Sequence, residues 1–181
     1  TLTNLAGGQH NYTLYGVDEA GNINNSGQRN FIVDATPPTI TLPEYTNATF
    51  KRNTDTLTVN ISISDSGSGL TGSVCLIDVN GTNQTLALSN GWCNSTSVNL
   101  TNLTDGNQTI KVYANDSVNN LGLNDSYVVK IDTTAPEVTI VSPTSGQTFS
   151  SSSISFELRT NENSTCNYSV DAGVTNYSMT A

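Results

Sequence analysis

The chain has 181 residues, with 6 Lys and Arg against 15 Asp and Glu and a formal net charge of −9. That balance argues against nucleic-acid binding, which needs clustered cations at phosphates, and against docking on anionic lipid. No apolar run approaches the roughly 20 residues that span a bilayer, so no membrane insertion is expected within this window, and any targeting or anchoring segment is expected outside it.

In chain order, residues 1–42 lie without a gap on residues 99–140 when the sequence is shifted by 98 positions, Asp34 onto Asp132. "LTNL" falls on "LTNL", Gly8 on Gly106, Tyr15 on Tyr113, Asp18 on Asp116 and Asn22 on Asn120. "VDATPPTITL" falls on "IDTTAPEVTI", so Asp34, Thr36 and Pro38 meet Asp132, Thr134 and Pro136. Such a match is an internal repeat with the period of a small domain. It predicts one complete unit over 39–136, the C-terminal part of a unit over 1–38 and the N-terminal part of another over 137–181. Within the complete unit, strands are expected at 39–42, 57–64, 74–79, 110–114 and 127–131, with weaker ones at 84–88 and 97–100. The clearest is "LTVNISIS", where Leu57, Val59, Ile61 and Ile63 alternate with polar residues at period two. No segment carries a helical period, and about seven short strands in about 100 residues point to an all-β sandwich.

Sequons are dense. Of 24 asparagines, 15 begin N-x-S/T: Asn11, Asn24, Asn47, Asn60, Asn80, Asn83, Asn94, Asn99, Asn102, Asn107, Asn115, Asn124, Asn163, Asn167 and Asn176. Roughly a quarter of the residues are Ser or Thr, and 15 is more than double what chance gives at that content. The motif points to covalent N-glycans on an extracellular surface protein, with an archaeal source preferred. The alternative is a bacterial adhesin that is simply rich in Asn and Thr.

"NLTDGNQTIKVYANDSVNN" at 102–120 resembles the F-strand region of immunoglobulin-like and fibronectin type III-like modules. "VDEAGN" at 17–22 and "DSGSGL" at 65–70 resemble the loops of tandem prokaryotic Ig-like surface repeats, and the D-T-x-P stretch resembles their usual join. The resemblance implies tandem Ig-like β-sandwiches. Such modules serve as spacers, adhesin stalks, surface-layer parts or filament subunits, which is weak evidence for any one of them. The B–F cysteine pair of antibody domains, with its core Trp, is absent. Cys75 falls on the expected C strand instead. Cys166 takes the place of Cys75 in the next unit, so its partner is expected beyond the window. Cys75 and Cys93 are expected to form a disulfide in an oxidising compartment, the alternative being two buried thiols. Zinc is not expected, because two cysteines with no His nearby fall short of its ligand count. Trp92 is expected to pack over the bridge.

No catalytic constellation is found. His10 is the only histidine, and its counterpart is Gln108. There is no G-x-S-x-G elbow, phosphate loop or H-E-x-x-H. In an Ig-like unit the B–C and F–G loops lie where the preceding domain enters, so Asp34, Asp65 and Asp116 are expected to converge there. Hard oxygen ligands suit structural calcium; solvated turn residues are the alternative. No other cofactor is expected. Pro37-Pro38 and Ala135-Pro136 favour short, extended links. The functional expectation is a structural repeat region of a glycosylated cell-surface protein, forming a filament, sheath or surface layer. Its partners would be its own copies and neighbouring Ig-like domains. The alternatives are an adhesin stalk holding a ligand-binding tip and accessory repeats of a secreted enzyme.

Overall fold

The computed structural model describes residues 1–42 and 50–179. The sequon at Asn47 lies outside the described residues. The chain divides into two compact units, Thr1–Thr133 and Thr134–Ala181. All regular structure among the described residues is strand and turn.

The first unit begins with four short strands, β1 (Gly8–Tyr12), β2 (Tyr15–Val17), β3 (Ile23–Asn25) and β4 (Arg29–Val33). β1 pairs with β4 and β2 with β3, both antiparallel. Eight more strands follow: β5 (Thr39–Thr41), β6 (Phe50–Lys51), β7 (Thr56–Ser64), β8 (Cys75–Val79), β9 (Thr82–Ser89), β10 (Trp92–Asn99), β11 (Gly106–Asn115) and β12 (Leu121–Ile131). Their order is β5-β7-β10-β9-β8-β11-β12-β6. β9 changes partner midway: Thr82 to Leu86 pair with β8, and Ala87 to Ser89 pair with β10. The strand thus joins two layers, β5-β7-β10 and β8-β11-β12-β6, whose inner faces share one core.

That core follows the alternation in the sequence. Val59, Ile61 and Ile63 of β7 meet Cys75, Ile77 and Val79 of β8, Ile110, Val112 and Ala114 of β11, and Tyr127, Val129 and Ile131 of β12. Burying each large aliphatic side chain contributes about 1.5–3 kcal/mol. Two bulges reset the alternation. Pairing of β11 with β12 shifts between Ile110 and Val112, and pairing of β10 with β7 shifts between Ser95 and Val98. Each adds one residue to a strand and moves the inward positions from one parity to the other. Leu121 and Leu123 therefore face out, whereas Tyr127 and Val129 of the same strand face in.

The two weakly patterned strands are both eight residues long. Asn80-Gly81 and Asn90-Gly91 flank β9, with φ of 51° and 82° and of 50° and 76°. Positive φ at both central residues makes tight hairpins whose twist matches the strands. These turns, more than side-chain alternation, fix β9 and β10.

The repeat is also a structural one. Gly8 pairs with Val33 as Gly106 does with Ile131, and Tyr15 with Asn25 as Tyr113 does with Leu123. In the second unit, β13 (Val138–Ser142) pairs with β14 (Glu157–Thr160), and β15 (Asn167–Tyr168) with β16 (Tyr177–Ser178). Phe156, Tyr168 and Tyr177 stack in succession, with ring centroids 5.0 and 5.2 Å apart.

Candidate metal centre

Three loops of the first unit deliver carboxylates to one point. Asp34 follows β4, Asp65 follows β7, and Asp116 opens the turn between β11 and β12. One oxygen of each lies within 4.8 Å of the others. Asp116 is 1 % exposed, and Asp34 and Asp65 are half-buried.

Backbone amides hold each group. Asp34 accepts from the N–H of Thr36 at 3.0 Å and of Ser68 at 2.7 Å. Asp65 accepts from the amides of Gly67 and Gly69, and Asp116 from those of Val118 and Asn120. The Asn120 side chain donates to Asp116 Oδ2 at 2.6 Å and to the Asp34 carbonyl at 3.2 Å, tying the linker to the turn. The Thr36 amide, then Ser68, holds the Asp34 carboxyl below its usual range, so it stays charged beside its acidic neighbours. Gly67 makes room: a Cβ there would meet the Asp34 carboxylate at 2.4–2.6 Å.

These donors are neutral amides, and among the described residues the ion pair found is Arg52–Asp55, away from this site. Three carboxylates with neutral donors leave negative charge that a hard divalent cation would compensate. Carboxylate oxygens keep lone pairs beyond one hydrogen bond, and carbonyls and water complete the usual calcium shell of six to eight oxygens. The donor set fits calcium.

Asn120 and Gly67 were not singled out from the sequence. The signal was present, because the D-x-x-x-N turn occurs twice. Asn22 donates to Asp18 from its amide at 2.8 Å and its side chain at 2.7 Å, as Asn120 does to Asp116. Asp18 is exposed, and the Asn22 side chain holds its carboxyl below the usual range.

Cys75 and Cys93 are joined by a disulfide with Cα atoms 6.2 Å apart, linking β8 to β10 inside the core across β9. Cys166 is a free, half-buried thiol. Trp92 does not pack over the bridge: it is 43 % exposed while Cys93 is fully buried, since consecutive strand residues face opposite ways. His10 stacks on Phe31 with centroids 5.4 Å apart, and its Nε2 lies 2.8 Å from the Ala6 carbonyl. Among the sequons, Asn11, Asn24, Asn60, Asn80, Asn83, Asn99, Asn102, Asn107, Asn163, Asn167 and Asn176 are exposed. Asn94, Asn115 and Asn124 are half-buried. The side-chain amide of Asn115 donates to Asn119 and that of Asn124 to the Ile40 carbonyl.

No curated protein matches the chain. Among solved structures, a tetra-tandem repeat in the extending region of a large adhesion protein is 20 % identical, with a TM-score of 0.42. A Ca²⁺-stabilised adhesin, described as helping an Antarctic bacterium to reach out and bind ice, is 21 % identical, with a TM-score of 0.34. Each alignment covers 76 % of this chain and 35 % of the other, so the chain spans about a third of the length of those structures. Residues 1–81 and 94–170 match the profile of the bacterial Ig-like domain (group 3), and the chain belongs to that family.

Proposed function

We propose that this chain is a mechanical stretch of an extracellular surface protein, in which tandem Ig-like units act as spacers and calcium locks the joint between one repeat and the next. The observation that carries this reading is the meeting of Asp34, from the segment joining the repeats, with Asp65 and Asp116 of the following domain. A cation shared by linker and domain resists bending there, because any movement of the linker removes a ligand. The buried disulfide and the density of sequons support an oxidising, extracellular setting, and the exposed sequons, Asn60 and Asn107 among them, are proposed to carry N-glycans. The task is to hold another part of the protein at a distance, as a stalk or as the wall of an assembly.

Thermal unfolding in EDTA and in rising CaCl₂ tests the joint. Calcium at about 100 times its Kd stabilises by about 2.7 kcal/mol, and MgCl₂ at equal concentration gives less. Asp65→Asn keeps the side-chain shape and abolishes most of that gain. A wild-type melting curve indifferent to calcium would refute the lock. Intact-mass measurement and glycopeptide mapping of native material test the glycans.

A further inference from the structure

Trp92 stands alone on the outer face of the β5-β7-β10 layer. Thr41, Ser62, Trp92 and Ser89 lie opposite one another in a row across β5, β7, β10 and β9, and Asn60 lies opposite Asn94 in the next row. Ile61 and Cys93, between the two rows, point into the core, so these six side chains share the outward face. Trp92 is 43 % exposed, and the side chains beside it are too short to cover its ring. A flat aromatic ring among hydroxyl and amide groups suits a sugar. The C–H face of a pyranose stacks on the ring, and its hydroxyls exchange hydrogen bonds with the polar groups around it.

The sequence and the strand register identify that sugar. Two sequons, Asn60-Ile61-Ser62 and Asn94-Ser95-Thr96, place their asparagines on this face. Trp92 pairs with Ser62, so Asn60 is its diagonal neighbour across β7 and β10. Diagonal neighbours stand about 7–8 Å apart, within reach of an aromatic side chain. A pyranose ring is about as wide as the strand spacing of about 4.8 Å, so the first sugar on Asn60 reaches the indole. Asn60 and Asn94 face each other directly, with Cβ atoms about 4.5–5.5 Å apart, which leaves room for one glycan and not two. Asn60 is exposed and Asn94 is half-buried, so Asn60 is the acceptor.

We infer that Trp92 is the docking plate for the first sugar of a glycan on Asn60, and that Asn94 stays bare. This rests on the reading that exposed sequons carry N-glycans, and adds where one of them lies. The glycan is attached when the Asn60 side-chain nitrogen bonds the anomeric carbon of a phosphate-activated sugar. The carbon–phosphate oxygen bond breaks, the phosphate leaves, and the amide gives up one proton. Held on the indole, the sugar lies along the sheet and covers the pairing of β7 with β10, the strand that carries Cys93 of the disulfide. The contact stabilises the folded domain, because unfolding separates Asn60 from Trp92.

The chain made in its native host, with Asn60→Gln and Trp92→Ala variants, tests this. Glycopeptide mapping is expected to find Asn60 occupied and Asn94 bare. Trp92 is the one tryptophan of the chain, so its fluorescence reads the contact. Emission from the glycosylated wild type should lie at shorter wavelength, and be quenched less by acrylamide, than emission from Asn60→Gln. Trp92→Ala should lower the melting temperature of the glycosylated chain by about 2–4 °C and change that of Asn60→Gln little. Equal emission and quenching with and without the Asn60 glycan, or an equal effect of Trp92→Ala in both backgrounds, would overturn the inference. So would a glycan on Asn94, or a bare Asn60 in a chain glycosylated elsewhere, and those two results leave the wider glycan reading standing. A chain bare at every sequon would bring down that reading and this inference together.

Discussion

Removing the Cys75–Cys93 bridge should cost the first unit several kcal/mol. The bridge closes a loop of sequence separation 18, which restricts the unfolded chain by about 3 kcal/mol in the entropy model. Both cysteines are buried, at 1 and 0 % exposure, so Cys75→Ala with Cys93→Ala also leaves unfilled space worth about 1 kcal/mol or more. The sum, about 4 kcal/mol, is a large share of the 5–15 kcal/mol typical of a domain. Trp92 is the one tryptophan in the chain and lies beside Cys93, so urea unfolding followed by its fluorescence reports on this unit. The expected result is a lower midpoint and a steeper slope, because the unfolded chain without a cross-link exposes more surface. Reduction of the wild type should reproduce most of the loss. A loss under about 1 kcal/mol, or equal midpoints for oxidised and reduced wild type, would refute the view that the bridge limits the unfolded state.

Two other outcomes are expected. Gly122 is buried where β12 passes the linker, and a Cβ there would meet the Pro38 carbonyl oxygen at 2.5 Å. Gly122→Ala should therefore push the linker away, destabilise by about 1–3 kcal/mol and weaken calcium stabilisation; unchanged melting in both EDTA and calcium would show that the linker yields freely. Acid should also weaken the fold. The folded carboxyls of Asp34 and Asp171 lie below their unfolded value of 3.8, Asp171 at about 2 through the Ser169 hydroxyl and then the Thr175 amide. Groups depressed in this way contribute stability that is complete above the unfolded pKa and is lost as pH falls toward the folded one, so melting temperatures should drop between about pH 4 and pH 2. A flat profile across that window would contradict these hydrogen bonds.

The repeat made the all-β architecture legible, because 42 residues matched without a gap and the alternation in β7 left little choice of face. Alternation failed where the chain departs from period two. The bulge in β10 moves the inward position from Cys93 to Val98, so the pattern over 92–99 looks irregular although the strand is continuous. The two Asn-Gly pairs would have recovered both weak strands, since that dipeptide demands the positive φ seen there. For the candidate metal centre the sequence supplied the three aspartates, but nothing in it distinguished a buried carboxylate from a solvated turn residue.

That distinction depends on what surrounds the loop, since the turn itself is built alike in both places. Asp18 and Asp116 sit in the same D-x-x-x-N turn with the same hydrogen bonds from Asn22 and Asn120. The local sequence therefore builds the turn, and at Asp116 the Asp65 loop and the Asp34 linker add two more carboxylates beside it. Around Asp116 the neighbours are Asp34 with its Thr36 and Ser68 amides, Ser117 bonding the Ser68 carbonyl, and Asn120 bridging to the linker. Of the three carboxylates, Asp65 and Asp116 come from one domain and Asp34 from the last segment of the repeat before it. On the proposed calcium lock, cation affinity would depend on both repeats, and linkage would then require binding and the ordering of the joint to favour each other by equal amounts.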